Sequence, residues 1–169
     1  MADVTFEKAA ENKDLITQTL RRMPSMELLG DEDINDLASI SRIDSFAAGD
    51  TIIAEGSYGG WVYYLLSGKI RIVKRGREMA SLQRIGDLFG EMGVIDYGMR
   101  SASVQAVTEV TCLRINLVYL DRLPTNNRYA FRYTLYRGFA EALAERLRVT
   151  TEKYLAAKEA LDTIQNGSN

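Results

Sequence analysis

With 169 residues, 46% apolar and 26% charged, the chain has the size and composition of one globular domain with some helical extension. Its net charge of −2 comes without an evident basic stripe for nucleic acid, and no stretch approaches the ~20 apolar residues that span a bilayer. Histidine is absent, which excludes a His-ligated metal enzyme and a Ser-His-Asp hydrolase; the single cysteine, Cys112, excludes an intrachain disulfide and suits a reduced cytoplasmic setting.

The first ten residues carry Asp3, Glu7 and Lys8 without an apolar run, so they do not read as a signal peptide. Leu15, Ile16, Leu20 and Met23 then fall at helical spacing, and Pro24 closes that helix. A second short helix is predicted from Asp31 to Ile40, with Asp31 as its N-cap. Residues 1–40 thus form an N-terminal helical segment.

From Arg42 the pattern shortens to strands. Ile43 to Phe46, Thr51 to Ala54, Trp61 to Leu66, Lys69 to Lys74, Arg77 to Ile85, Val104 to Val107 and Val110 to Ile115 are predicted strands, separated by glycine-bearing turns. Short strands with turns every eight to twelve residues predict a mainly β fold over 41–116, a sandwich or barrel with flanking helices. The stretch Gly86 to Arg100, with four glycines, is too long and irregular for a hairpin; such loops are usually functional. After Asn116 a short helix is predicted to Leu123, ended by Pro124. A long helix follows, capped by Asn126 or Asn127 and running to about Ile164, with 165–169 as a disordered tail.

Within the loop, Gly90 lets a ligand approach the backbone, Glu91 can accept a sugar hydroxyl, Arg100 is a fixed cationic fork suited to phosphate, and Ser101 adds a hydroxyl. A helix-like piece over Glu91 to Ile95 would aim its first amides at an anion. The same residues also fit an ordinary solvated turn, and local chemistry does not choose between the two.

The run FGEMGVIDYGMRSASVQA, beginning at Phe89, resembles the phosphate-binding cassette of the cyclic-nucleotide-binding domain family, here over 86–103. Phe89, Gly90, Glu91, Met92, Arg100, Ser101 and Ala102 match the family pattern, and the order of elements fits from about Leu28 to about Lys158. The resemblance implies a double-stranded β-helix (jelly-roll-like) β-roll that binds a cyclic nucleotide. Glu91 would take the ribose 2′-hydroxyl, with Arg100 and Ser101 on the cyclic phosphate. It implies cAMP as ligand, with cGMP open because Ser101 can also meet a guanine amino group, and it implies no metal.

On the long helix, Tyr136, Ala140, Leu143, Leu147, Thr150, Tyr154, Ala157, Leu161 and Ile164 recur in steps of four and three, a coiled-coil-like seam. Phe131, Leu135 and Phe139 form a second stripe that can pack on the β-roll. Two apolar faces predict a homodimer through 127–164. The run AERLRVTTEK, Ala144 to Lys153, resembles the central helix of the bacterial cAMP receptor proteins, transcription factors of this family. That resemblance implies that Thr150 contacts the adenine within its own protomer, that Thr151 reaches the ligand of the other, and that Arg146 steadies Glu91. In those factors the helix leads into a winged helix-turn-helix. This sequence stops at Asn169, so DNA binding is not expected.

The remaining features carry blander readings. Cys112 is expected to be an inert core residue, Trp61, Tyr63 and Tyr64 to fill or flank the core, and Lys69, Arg71, Lys74, Arg75 and Arg77 to form a solvated basic edge. The functions in contention are a non-enzymatic cyclic-nucleotide sensor that signals to an unknown protein partner, and a degenerate β-roll serving as a dimerisation or interaction module. A cupin-type enzyme lacks its histidine ligands.

Overall fold

The computed structural model describes residues 13–96, 98–123 and 128–166. In chain order it contains α1 (residues 13–21), a 3-10 turn Pro24–Met26, α2 (Asp31–Ser39), β1 (Ser41–Phe46), β2 (Thr51–Ile53), β3 (Trp61–Ser67), β4 (Ile70–Lys74) and β5 (Arg77–Leu82). There follow β6 (Leu88–Phe89), α3 (Met92–Ile95), β7 (Ser103–Ala106), β8 (Val110–Asn116), a 3-10 turn Leu117–Arg122 and α4 (Arg128–Asn166). Asp31 is not the cap of α2. Gly30 holds that position, and Asp33 three residues on accepts from the Gly30 amide at 3.3 Å, because a carboxylate at the third helical position reaches back to the entry.

The strands form two antiparallel four-stranded sheets, ordered β1-β8-β3-β6 and β2-β7-β4-β5. One core joins them. Tyr63, Leu65, Phe89, Val110 and Cys112 come from the first sheet, and Ile53, Ile70, Val104 and Ala106 from the second. The alternation in β4 follows the period-2 rule: Ile70 is fully buried and Arg71 exposed. β3 departs from it, with Val62, Tyr63, Tyr64 and Leu65 all buried, so both faces of this strand are covered. Its exit is set by Gly68 at φ +88°. A Cβ there would stand 2.2 Å from the Glu109 carbonyl, so no side chain fits between β3 and the start of β8.

The strand expected from Arg77 to Ile85 ends at Leu82, because Asp87 accepts the amides of Gln83 and Arg84 and turns the chain. That turn feeds β6, a two-residue strand paired to Tyr63 and Tyr64, which lies inside the stretch read from sequence as loop and short helix. After β8, Asn116 Oδ1 accepts from the Val118 amide and the next six residues wind as 3-10 rather than α-helix.

By contacts the chain divides into Met1–Leu135 and Tyr136–Asn169. In the first unit, Phe131 and Leu135 of α4 are buried as the second stripe requires. The second unit is the rest of α4, where Tyr136 and Phe139 meet edge to face at 5.7 Å. Along its seam Tyr136, Leu147, Tyr154, Leu161 and Ile164 are all exposed. Helix continues through Asn166, past the expected end near Ile164. The expected Asn126 or Asn127 cap, the first ten residues and the tail beyond Asn166 lie outside the described residues.

Candidate functional site

The stretch after β6 is organised around one side chain. Arg100 is only 6% exposed. Its Nη1 donates to the Gly90 carbonyl, and its Nη2 donates to the Trp61 carbonyl at 2.7 Å. Its backbone is clamped as well: the Arg100 amide donates to Ser57 O at 2.8 Å, and Arg100 O accepts from the Gly56 amide at 2.9 Å. Thus the end of the loop is fastened to the β2–β3 turn, and the guanidinium is held across the start of β3.

Glycines make room for it. Gly90 has φ +82°, and a Cβ there would lie 3.0 Å from Ile53 Cδ1 and 3.1 Å from Arg100 Nη1. Cβ atoms at Gly59 and Gly93 would each come within 3.2 Å of the Arg100 side chain. Three positions without side chains therefore surround one buried cation, an arrangement that lets backbone and ligand approach it closely.

Glu91 follows Gly90 directly and is 1% exposed. Burial lowers the Arg100 pKa, while the Tyr63 hydroxyl and the Glu91 carboxylate act against that shift. Tyr63 shows the mirror image: burial raises its pKa, and the Arg100 and Arg114 charges pull it down. A carboxylate, a phenol and a guanidinium thus share one desolvated region, where electrostatic interactions are strong. Phe89 supports the floor by stacking on Tyr63, ring centroids 5.1 Å apart.

The other residues singled out from sequence divide in two. Ser101 and Met92 meet each other across the loop, Ser101 Oγ standing 3.8 Å from Met92 Sδ, and both are exposed; Ala102 is half-buried. Thr150 and Thr151 lie in the second unit and are exposed, with Thr151 Oγ1 donating to Leu147 O at 2.8 Å within the helix. Arg146 is in that unit too. Cys112 is fully buried, and burial with the nearby Asp44 carboxylate pushes its thiol up to about 12, the behaviour of an inert core thiol. In the basic hairpin, Arg71 Nε donates to Gln105 Oε1 at 3.0 Å and the Arg75 amide to Glu55 Oε2 at 3.0 Å.

Sequence reasoning passed over three contributors: the Trp61 carbonyl, Gly59 and Gly93. A backbone acceptor leaves no trace in residue type. The Gly59-Gly60 pair was visible but read only as a turn.

The pattern of the cyclic nucleotide-binding domain family matches residues 43–127. The CRP-like cAMP-activated global transcriptional regulator of Mycobacterium tuberculosis is 35% identical over 109 residues, which is 62% of this chain and 46% of that one. The cGMP-dependent protein kinase of Toxoplasma gondii is 31% identical over 137 residues, 80% of this chain and 13% of that one. The chain therefore spans less than half the length of either relative. Among solved structures, a cyclic nucleotide-binding domain from Methylobacillus flagellatus superposes with a TM-score of 0.70 at 21% identity, covering 88% of this chain and 85% of its own. That likeness concerns the fold alone.

Proposed function

The chain belongs to the cyclic nucleotide-binding domain family, and from that premise we propose that it is a non-enzymatic sensor of a cyclic nucleotide, cAMP in preference to cGMP. The observation that carries this reading is Arg100: a cation 6% exposed, ringed by glycines and within electrostatic reach of the buried Glu91. A solvated turn has no reason to bury these two groups. A β-roll degenerated into an interaction module would have none to keep them, since buried charge is costly unless it is used.

In the proposed complex the guanidinium fork and the Ser101 hydroxyl take the cyclic phosphate, with Gly90 allowing the approach and Met92 and Ala102 flanking it. Glu91 takes the ribose 2′-hydroxyl, which donates to its carboxylate. Phe89, stacked on Tyr63, fixes the strand from which Gly90 and Glu91 project. Thr150 and Thr151 read the adenine amino group, Thr151 from the partner chain of a homodimer formed by the exposed α4 seam. Ligand binding then shifts the population of α4 orientations, and a separate cytoplasmic protein reads that shift. DNA binding is not part of this role, and no helix among the described residues is long and apolar enough to cross a membrane.

Calorimetric titration with cAMP and cGMP tests the reading. Saturable binding of cAMP is expected, and Arg100→Ala should weaken it about 30-fold or more, because removing a charge-assisted contact from a desolvated pocket costs ~2–5 kcal/mol. A folded Arg100→Ala variant with wild-type affinity would remove the cassette assignment.

A further inference from the structure

A cavity of about 480 Å³ opens where the end of α2 and the start of β1 meet the start of β3 and the 3-10 turn after β8. Its volume falls within the range of small-molecule sites, ~300–1,000 Å³. No described residue of 86–103 lines it, so it lies apart from the cassette.

Its chemistry is one-sided. Arg42 and Arg122 both line it, and neither has an ion pair among the described residues. Asn116 also lines it. Its Oδ1 accepts from the Val118 amide, and its side-chain amide adds two N–H donors to the lining. Ser39 Oγ and Ser41 Oγ are turned to backbone carbonyls of α2. No carboxylate lines the cavity among the described residues. Two guanidinium groups with no carboxylate among the described lining residues favour an anion.

The walls specify the rest of the ligand. Trp61 and Tyr119 line the cavity, with Leu123 buried beneath. Arg114 lies 4.3 Å from the Trp61 ring centroid and is itself neutralised by Asp44 at 2.6 Å, which braces the indole. Arg122 lies 5.3 Å from the Tyr119 ring centroid, placing a cation beside an aromatic surface. Two aromatic surfaces and two guanidinium groups suit a flat body with an acidic group at its edge.

We propose that this cavity is a second binding site, for a small planar organic anion such as an aromatic carboxylate, separate from the cyclic-nucleotide site although Trp61 serves both, by its ring here and by its carbonyl on Arg100 there. The sole tryptophan, Trp61, is in its wall, so the indole N–H resonance of the protein is a single reporter of occupancy. The test titrates 2-naphthoate into the full chain and follows that resonance. A saturable shift is expected with Kd of about 1 mM or tighter, the value a typical ligand efficiency gives a molecule of this size. The neutral 2-naphthylmethanol, and the Arg42→Gln/Arg122→Gln variant with naphthoate, should each bind about fivefold more weakly or worse, the low end for charge-assisted contacts at an exposed rim. Both arginines are exposed, and the variant's melting temperature and unliganded indole resonance verify its fold. Excess cAMP should not displace naphthoate. The proposal is overturned by an unmoved indole resonance, by equal binding of the neutral analogue, by wild-type affinity in the folded double variant, or by displacement with cAMP.

Discussion

Two glycines with nearly the same backbone offer a controlled test of the proposed site. Gly90 and Gly76 sit at φ +82° and +75°, so alanine at either loses about 1–2 kcal/mol of folding stability to left-handed strain. They differ in what surrounds them. A Cβ at Gly76 meets nothing within 4 Å, whereas one at Gly90 stands 3.0 Å from Ile53 Cδ1, 3.1 Å from Arg100 Nη1 and 3.3 Å from Tyr63 Cδ2. Ile53 belongs to the core and Tyr63 is stacked on Phe89, so the group able to give way is the guanidinium. Gly90→Ala should therefore lose a further ~1–3 kcal/mol to overpacking. It should also push Arg100 off its carbonyl anchor. If the phosphate is read by that fork, the misplacement costs about one charge-assisted hydrogen bond, roughly 10-fold or more in affinity. Chemical denaturation and cAMP calorimetry on both variants supply the assay. The expected result is a destabilised, weak-binding Gly90→Ala beside a destabilised but fully binding Gly76→Ala. Equal cAMP affinity in the two folded variants would refute the reasoning, since the crowding would then not matter to the ligand.

The sugar contact is open to a similar comparison: 2′-deoxy-cAMP should bind markedly worse than cAMP to the wild type but nearly as well as cAMP to Glu91→Gln, and undiminished discrimination by the variant would take Glu91 out of that role. For the seam, the wild type should sediment as a dimer at micromolar concentration and Leu147→Glu, at a position 69% exposed in the single chain, should shift it towards monomer by placing like charges face to face; a wild type that stays monomeric at high concentration contradicts both the dimer and the contact in trans by Thr151. Thr150→Ala with Thr151→Ala should narrow the preference for cAMP over cGMP, since an exocyclic amino group left unpaired on burial costs about 1–3 kcal/mol, and unchanged selectivity by calorimetry would detach the pair from base recognition. The Cys112 thiol is pushed up from 9.0 to about 12, so the folded state keeps its proton while the unfolded chain loses it. Stability should therefore fall as pH rises from about 9 towards 12 and be insensitive to this group below that range. Cys112→Ala should flatten that part of the decline in denaturation midpoint, and an identical slope in the variant would count against it.

The strands were legible where side chains alternate between two environments. Ile70 and Arg71 betray β4 because one is wholly buried and the other exposed. The cassette was legible for a different reason: its chemistry needs particular residue types, a glycine at φ +82° and a fork-shaped cation, and few sequences satisfy both. What stayed hidden was structure set by the backbone or by distant partners. β6 is only Leu88–Phe89, and it is a strand because Tyr63 and Tyr64 lie opposite, a fact no local window contains. The helix α2 begins at Asp31 as read, but its cap is Gly30, which offers no capping side chain to recognise, and only the geometry shows Asp33 reaching back to the Gly30 amide. The Trp61 carbonyl that anchors Arg100 is thirty-nine residues away in sequence.

That anchoring bears on how the proposed sensor would gain affinity. A surface arginine recruited by a ligand gives up ~2 kcal/mol of rotamer freedom when it is ordered. Arg100 has already lost that freedom, since two carbonyls hold its side chain in the room left by three glycines before any phosphate arrives. The cost has moved from binding to folding, where burial lowers the guanidinium pKa and the Tyr63 hydroxyl and Glu91 carboxylate act in the other direction. Two of its five N–H donors are committed to carbonyls, so the remaining three can meet a phosphate without breaking the anchor. A lysine cannot reproduce this division, because an ammonium has three donors at one point and no second arm with which to hold a carbonyl while it binds an anion. The same geometry explains why Glu91 has to be buried beside it. An uncompensated cation at that depth would destabilise the roll, and the neighbouring carboxylate supplies a nearby opposite charge.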